Sequence, residues 1–469
     1  MVRLALLAAS VLAGSLGLGG CGDAPITIAA VSADRLWEGL GCGTRGCEGA
    51  CTAAGCPGGR RASLIHLRTE GRVASASAVI PGASVAITAD VVAVSDSAAV
   101  LAVRIPVTTA LAAGAHDLEL RVVGEGGSVA TTTVSVRGLD ELVLAGPQAA
   151  PQPVYSRIVV PTAFVTRLEG SAALRFVATG DIELAGELFA DASEAAPGPG
   201  GCAAAADASE PAPCPPGGGG SSLTGAGGGG GFGTAGGGGP LAGAISGTPL
   251  LVPVGVGVPT GQPTGTIVDD NRGHGGGAHA GDRGGHGGGA VVLVTRGRMV
   301  LGEYARVTAR GGAPATTTGP SGGGGSGGAL VIGAHAGFEI TPANLLPFEA
   351  TGGGSGAVRG GDGRIRLDSP DELAGFTGAA PRPWLGPAWL DVPLVALAAA
   401  DLTLRIDARA TEPVVVHAGA LSTTCVPAGG LCRVRLELPA GITEVCAILR
   451  ADYPSSLAEN ATCVDVARL

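Results

Sequence analysis

One rhythm recurs four times between residues 173 and 375: a short apolar strand, a tight turn, a second strand, and often a glycine. The first instance is Ala173–Ala178, a turn at Thr179-Gly180-Asp181, then Ile182–Gly186. The others are Val291–Val294 with Arg298–Gly302, Ala329–Ile332 with Gly337–Ile340, and Gly363–Asp368 with Glu372–Gly375. A unit this short cannot bury its apolar face alone, so only stacking of successive units supplies a core. The rhythm predicts an all-β chain whose middle, residues 139–380, is an irregular glycine-rich β-solenoid.

Glycine decides what lies between the units. The chain holds 85 glycines in 469 residues, whereas aromatic residues are 3% and charged residues 14%. A core must therefore come from Ala, Val, Leu and Ile. The glycines gather in residues 195–289 and 311–328, with a shorter stretch near 352–361. Glycine loses the most backbone entropy on ordering, so these tracts predict flexible, low-complexity loops. A second reading rests on the apolar punctuation at Phe232, Leu241, Ile245 and Leu250–Val254. It packs the loops onto the coils.

Composition is more ordinary on either side. Residues 25–138 hold strand-like runs at Ile26–Ile28, Ser63–Leu67, Ser84–Val92, Val100–Ile105, His116–Val122 and Val129–Val136, divided by turn signals. Residues 381–469 hold similar runs at Leu402–Ile406, Val414–His417, Arg433–Leu438 and Val445–Leu449. Alternation of apolar and polar residues in Leu118–Val122 is that of a half-buried strand. The stretch from Ile105-Pro106 through Ala113-Gly114 to Asp117-Leu118-Glu119-Leu120 resembles the late part of an IPT/TIG-type immunoglobulin-like domain. Pro439-Ala440-Gly441-Ile442 resembles a turn of bacterial immunoglobulin-like modules. These resemblances imply an immunoglobulin-like sandwich at 25–138 and a second at 381–469.

At the start of the chain, Arg3 precedes an apolar run that ends in Leu18-Gly19-Gly20-Cys21. Such a segment is a processing signal, not a structural helix. It is short of the roughly 20 apolar residues a membrane span needs. It resembles a bacterial lipoprotein signal, which implies removal of residues 1–20, a diacylglycerol and an N-acyl chain on Cys21, and a lipid-anchored tether at 21–24. Gly22 in second place resembles the outer-membrane sorting pattern of enterobacteria. The whole chain is similar to glycine-rich lipoproteins of high-GC Gram-negative bacteria. That likeness implies a membrane attachment and an envelope location, with the outer membrane as destination, but no mechanism.

Cysteine usage fits export. Of the 11 cysteines, Cys21 stands apart and leaves an even number. Cys202 with Cys214, Cys425 with Cys432, and Cys446 with Cys463 pair naturally as neighbours. Cys42, Cys47, Cys51 and Cys56 allow three disulfide connectivities. Their rival use is a zinc site, although their gaps of four, three and four residues do not form two CxxC knuckles.

Charge excludes some functions. The net charge is −10, and every one of the 29 basic residues is arginine. Nucleic-acid binding rests on clustered cations, so it is not expected. Schiff-base and P-loop chemistry need a lysine, and no cofactor is called for. Gly324-Gly325-Ser326-Gly327-Gly328 matches the G-x-S-x-G pattern through composition alone. His274, His279, Asp282 and His286, close to Asp269-Asp270-Asn271, gather metal-ligand types in one loop. The plainer reading of that loop is polar residues solvating glycine. Asp362, Arg364, Arg366 and Asp368 form the densest charge cluster on an expected coil. Alternation places Arg364 and Arg366 together on one solvated face. Trp384 and Trp389 flank the last junction, either as a sugar-stacking platform or as packing at a seam.

These features together predict an envelope-anchored protein with a structural or adhesive role, binding a glycan or surface protein through exposed loops. The rival expectations are a carbohydrate-active enzyme on a parallel β-helix and a metal-dependent module using loop 269–286.

Overall fold

The structure is a computed structural model, and it is all-β. It describes residues 25–33, 63–84, 87–105, 111–145, 154–206, 275–276, 278, 282–315, 322–371, 373, 376–386, 388–408, 413–448 and 461–469. Cys21, the Cys42–Cys56 group, Cys214, His274, His279 and the expected signal at 1–20 lie outside these residues.

Seven strands form the first unit: β1 (Thr27–Ala33), β2 (Ser63–Glu70), β3 (Val73–Val79), β4 (Thr88–Val94), β5 (Ala98–Arg104), β6 (Gly114–Gly124) and β7 (Val129–Gly138). They make two antiparallel sheets, ordered β1-β2-β5-β4 and β3-β6-β7. Ile65, Leu67, Leu101, Val103, Leu118, Leu120 and Val122 fill the space between them. The strand β3 has no counterpart among the expected runs. Its sequence, Val-Ala-Ser-Ala-Ser-Ala-Val, alternates residues too small to register as apolar and polar faces.

From Glu141 the chain winds as a parallel coil. The strands are β8 (Glu141–Val143), β9 (Arg157–Val160), β10 (Val165–Arg167), β11 (Leu174–Ala178), β12 (Ile182–Leu184), β13 (Glu187–Phe189), β14 (Ala290–Thr295) and β15 (Met299–Leu301). They continue as β16 (Arg306–Thr308), β17 (Ala329–Ala334), β18 (Phe338–Ile340), β19 (Phe348–Glu349), β20 (Arg364–Asp368), β21 (Ala379–Ala380) and β22 (Trp384–Leu385). Three five-stranded parallel sheets result: β8-β9-β12-β15-β18, β10-β13-β16-β19-β21 and β11-β14-β17-β20-β22. The register is continuous, with Phe176, Leu293, Ile332 and Leu367 stacked one above another and pointing inward. Apolar residues from all three sheets line one interior.

The second strand expected at Glu372–Gly375 lies outside the described residues except for Leu373. The next described strand of that coil is β21, and the exposed Asp371 accepts the Phe338 N–H. The parallel sheets also run past the boundary expected at residue 380, since β22 pairs with β20.

The glycine tracts bring the main correction. Where they are described, they are packed and hydrogen-bonded, not loose. Residues 322–328 bond to four other segments. Gly285 and Gly288 N–H donate to Gly323 and Ser326, and Gly325 and Gly328 N–H donate to Gly312 and Ala309. Gly353 N–H donates to Gly325, and Gly327 N–H donates to Gly361. A β-strand pairs with two neighbours, because side chains occupy its other two directions. Glycine frees those directions, and a Cβ at Gly285, Gly325, Gly327 or Gly360 would overlap a neighbouring carbonyl. The entropy lost on ordering is offset by buried backbone groups that find partners.

The last unit holds β23 (Ala388–Asp391), β24 (Val395–Ala396), β25 (Ala399–Arg405), β26 (Val414–Ala418), β27 (Leu421–Cys425), β28 (Leu431–Glu437), β29 (Gly441–Ile448) and β30 (Ala461–Arg468). Its sheets are β23-β25-β28 and β24-β30-β29-β26-β27. Cys425–Cys432 joins one sheet to the other, and Cys446–Cys463 spans β29 and β30. Both pairs are those expected from neighbourhood in the sequence. Cys202 is disulfide-bonded as well.

Candidate functional site

Each corner of the coil is a column of turns, one per winding. The column between the β8-β9-β12-β15-β18 sheet and the β10-β13-β16-β19-β21 sheet carries the largest exposed apolar side chains. Phe164 lies in the β9–β10 turn, Tyr304 in the β15–β16 turn and Leu345 in the β18–β19 turn, with exposures of 46%, 60% and 80%. Val165 beside Phe164 is exposed too. Successive windings are about 4.8 Å apart, so these residues form a ridge along the coil axis that is interrupted at the Ala185-Gly186 turn, with Tyr304 and Leu345 on adjacent windings and Phe164 two windings from Tyr304. Exposed apolar groups in a row, rimmed by polar ones, mark an interaction surface more than a scattered set does.

The ridge is held rigidly. Glu187 N–H donates to Phe164 O at 2.9 Å, and Gly302 N–H donates to Leu184 O at 2.8 Å. The Asn344 amide donates to Gly302 O and Ala305 O at 2.8 and 2.7 Å, tying the last turn to the one before it. Gly186 is needed here, because a Cβ would strike the carbonyls of Pro161 and Phe164.

Charge ladders flank the ridge. On one side Arg157 bonds Glu141 at 3.1 Å and Glu183 at 2.5 Å. On the other Arg306 bonds Glu349 at 2.9 Å, and Arg310 bonds Asp191 while lying 5.7 Å over the Phe189 ring. Burial opposes the charge of Arg310, but Asp191 and Glu349 outweigh it and hold its pKa above the ordinary value.

The residues singled out from sequence fall elsewhere. His286 is buried in the glycine bundle, where its Nδ1 accepts the Ala204 N–H at 2.9 Å. An accepting Nδ1 on a neutral ring puts the proton on Nε2, which then has no lone pair for a metal. Burial first, and Arg283 second, lower its pKa and favour that neutral ring. Asp282 is described nearby in the chain, while His274 and His279 lie outside the described residues.

Arg364 and Arg366 do share a face of β20, but that face is not solvated. Arg364 is buried and Arg366 is only 2% exposed. The Arg366 guanidinium donates to both Asp368 oxygens, at 2.6 and 2.5 Å. A paired guanidinium tolerates burial where a lone one does not, which is why alternation alone misplaced it. Asp362 accepts from Arg359 and from the Gly352 N–H. Ser326 of the G-x-S-x-G match is wholly buried among glycines.

Trp389 is 4% exposed and belongs to the last unit's core, so it offers no platform to a sugar. Trp384 is half-buried, opposite Arg366 in register, and packs against the same core. Cys446 and Cys463 approach Glu444 closely, but both sulfurs are committed to their disulfide. No helix among the described residues is long and apolar enough to cross a membrane.

Sequence reasoning missed the ridge. Its members are 140 and 41 residues apart in turn and sit in turns of unlike sequence, so the available signal was their shared offset within the repeat. No family model matches this chain, and neither curated proteins nor solved structures give a match.

Proposed function

We propose that this chain is an envelope-anchored lipoprotein with a structural or adhesive role at the cell surface. In this reading, two immunoglobulin-like sandwiches flank a β-solenoid, and the solenoid presents a surface to a glycan or a surface protein. The observation that carries the binding role is the ridge of Phe164, Tyr304 and Leu345 on hydrogen-bonded turns. A rigid surface binds with less ordering cost than a loose loop. The location rests on Leu18-Gly19-Gly20-Cys21.

Catalysis on the coil needs acid and base groups converging on a substrate. Asp362, Arg366 and Asp368 of the charge cluster that raised that prospect are engaged in internal ion pairs, which favours adhesion.

Two measurements test the proposal. Intact mass spectrometry of membrane-extracted protein is expected to give a chain beginning at Cys21 with added acyl mass. A chain retaining residues 1–20 would overturn the anchor. Binding of purified protein to glycan arrays and to whole cells is expected to weaken at least tenfold in a Tyr304→Ser/Leu345→Ser variant. Unchanged binding by a folded variant would remove the ridge from the function.

A further inference from the structure

The first and last units touch, although more than two hundred residues of coil separate them in sequence. Leu64 on β2 with Val100 and Ala102 on β5 pack against Leu394 and against Ala467 on β30. Val92, Val395, Ile442 and Leu469 complete this apolar seam. The first unit is joined directly to the coil, since only Leu139 and Asp140 lie between β7 and β8. The last unit is joined to it by reciprocal bonds between Leu385 and Asp407 and by the Arg405 guanidinium on the carbonyls of Ser369, Pro370 and Asp371. The seam therefore closes a ring of three joints, and it is the joint made of apolar contact.

One titratable ring lies in it. Along β2, Ile65 and Leu67 point into the first unit's own core, while Leu64 points into the seam. Alternation puts His66 on the Leu64 side. His66 is 6% exposed, and its Nε2 is buried with no hydrogen-bond partner. A neutral imidazole is tolerated there at modest cost, but an imidazolium is not.

Charges of both signs surround it. On the same face of the first unit stand Arg68 and Glu70 on β2 and Arg104 on β5, the last already paired with Asp90 on β4. Neither β1 nor β24 carries a charged residue. On the facing sheet, Glu444 and Asp465 sit opposite each other, two residues along from the seam pair Ile442 and Ala467. After burial, the influence on His66 is the like charge of Arg68, and both hold its pKa below the ordinary histidine value.

We infer that the seam is a proton-operated latch, docked while His66 is neutral and released when His66 takes a proton. Release leaves each unit folded and both other joints intact, and it exposes Leu64, Val100, Ile442 and Ala467. The opening equilibrium is linked to one proton, so it moves by at most about tenfold per pH unit. The inference stands independently of the proposed function.

The full chain is examined by small-angle scattering and by binding of an apolar dye, from pH 7.5 to pH 4.5, with circular dichroism as the check on folding. The wild type is expected to expand and to bind several-fold more dye below pH 6.5, with its circular dichroism unchanged. His66→Gln, which cannot gain the charge, is expected to stay compact throughout. His66→Arg, which carries a charge always, is expected to be expanded at pH 7.5. A wild type that stays compact to pH 4.5 overturns the latch, as does a His66→Gln variant that opens in parallel with it. Should His66→Gln not fold, His66→Leu serves the same comparison.

Discussion

A glycine in this chain can be required for two separate reasons, and substitution tells them apart. Gly325 has neighbouring carbonyls where a Cβ would go. Gly82 has open space around it but a φ of +80°. Gly325→Ala is expected to cost about 2–4 kcal/mol through overpacking of rigid backbone. Gly82→Ala is expected to cost about 1–2 kcal/mol for a left-handed conformation alone. Calorimetric melting of the two variants checks the order, and equal losses would mean that the glycine bundle yields. The histidines act at the same scale. Burial lowers the pKa of His66, of His286 and of His335, the last to about 4 with help from Arg296. The unfolded chain therefore binds more protons than the native one below the ordinary histidine value of about 6.5. Stability is fully present above that pH and is lost as pH falls towards 4. Urea midpoints at pH 7.5, 6 and 5 are expected to decrease in that order, and His335→Gln is expected to flatten the trend.

The elements depend on cross-links that a strand pattern does not reveal. The Arg366–Asp368 pair sits on β20 with both partners shielded from solvent. Removing the cation leaves a buried carboxylate uncompensated, so Arg366→Met is expected to cost about 3–5 kcal/mol. Thermal melting checks this, and a loss below 1 kcal/mol would mean that water reaches Asp368. The Cys425–Cys432 bond links β27 to β28 and so holds one sheet on the other. Its replacement by two serines is expected to cost about 2–3 kcal/mol and to loosen the last unit before the coil. Hydrogen exchange resolved by strand distinguishes that local loss from a uniform one.

For the whole molecule, the coil is the rigid member and the two sheet pairs are its ends. Its interior is continuous from Leu144 to Leu367, so a winding cannot open without exposing its neighbours. The glycine bundle extends that continuity sideways, because its segments leave the windings and bond to one another. The joint between the end units has a small apolar contact and a buried histidine. It is therefore where a change of shape costs least, and acid is expected to act on the seam before it acts on the coil.

The sequence by itself determined the all-β class, the alternation of the half-buried strand Leu118–Val122 and the pairing of the last four cysteines. All three are short-range properties: alternation sets which side chain is buried, and neighbouring cysteines meet across adjacent strands. It also held the strand–turn–strand rhythm that becomes β11–β12, β14–β15 and β17–β18. Only the tertiary structure decided what the described parts of the glycine tracts do, because order there depends on the absence of side chains from several segments at once. It alone placed Arg366 and Trp389 in the interior, where a partner or a packed core cancels the polarity or exposure that local pattern suggests. It alone assembled Phe164, Tyr304 and Leu345 into a ridge and set His66 against the last unit. Those contacts join residues far apart in the chain, and nothing in the local pattern encodes which distant surface a side chain will meet.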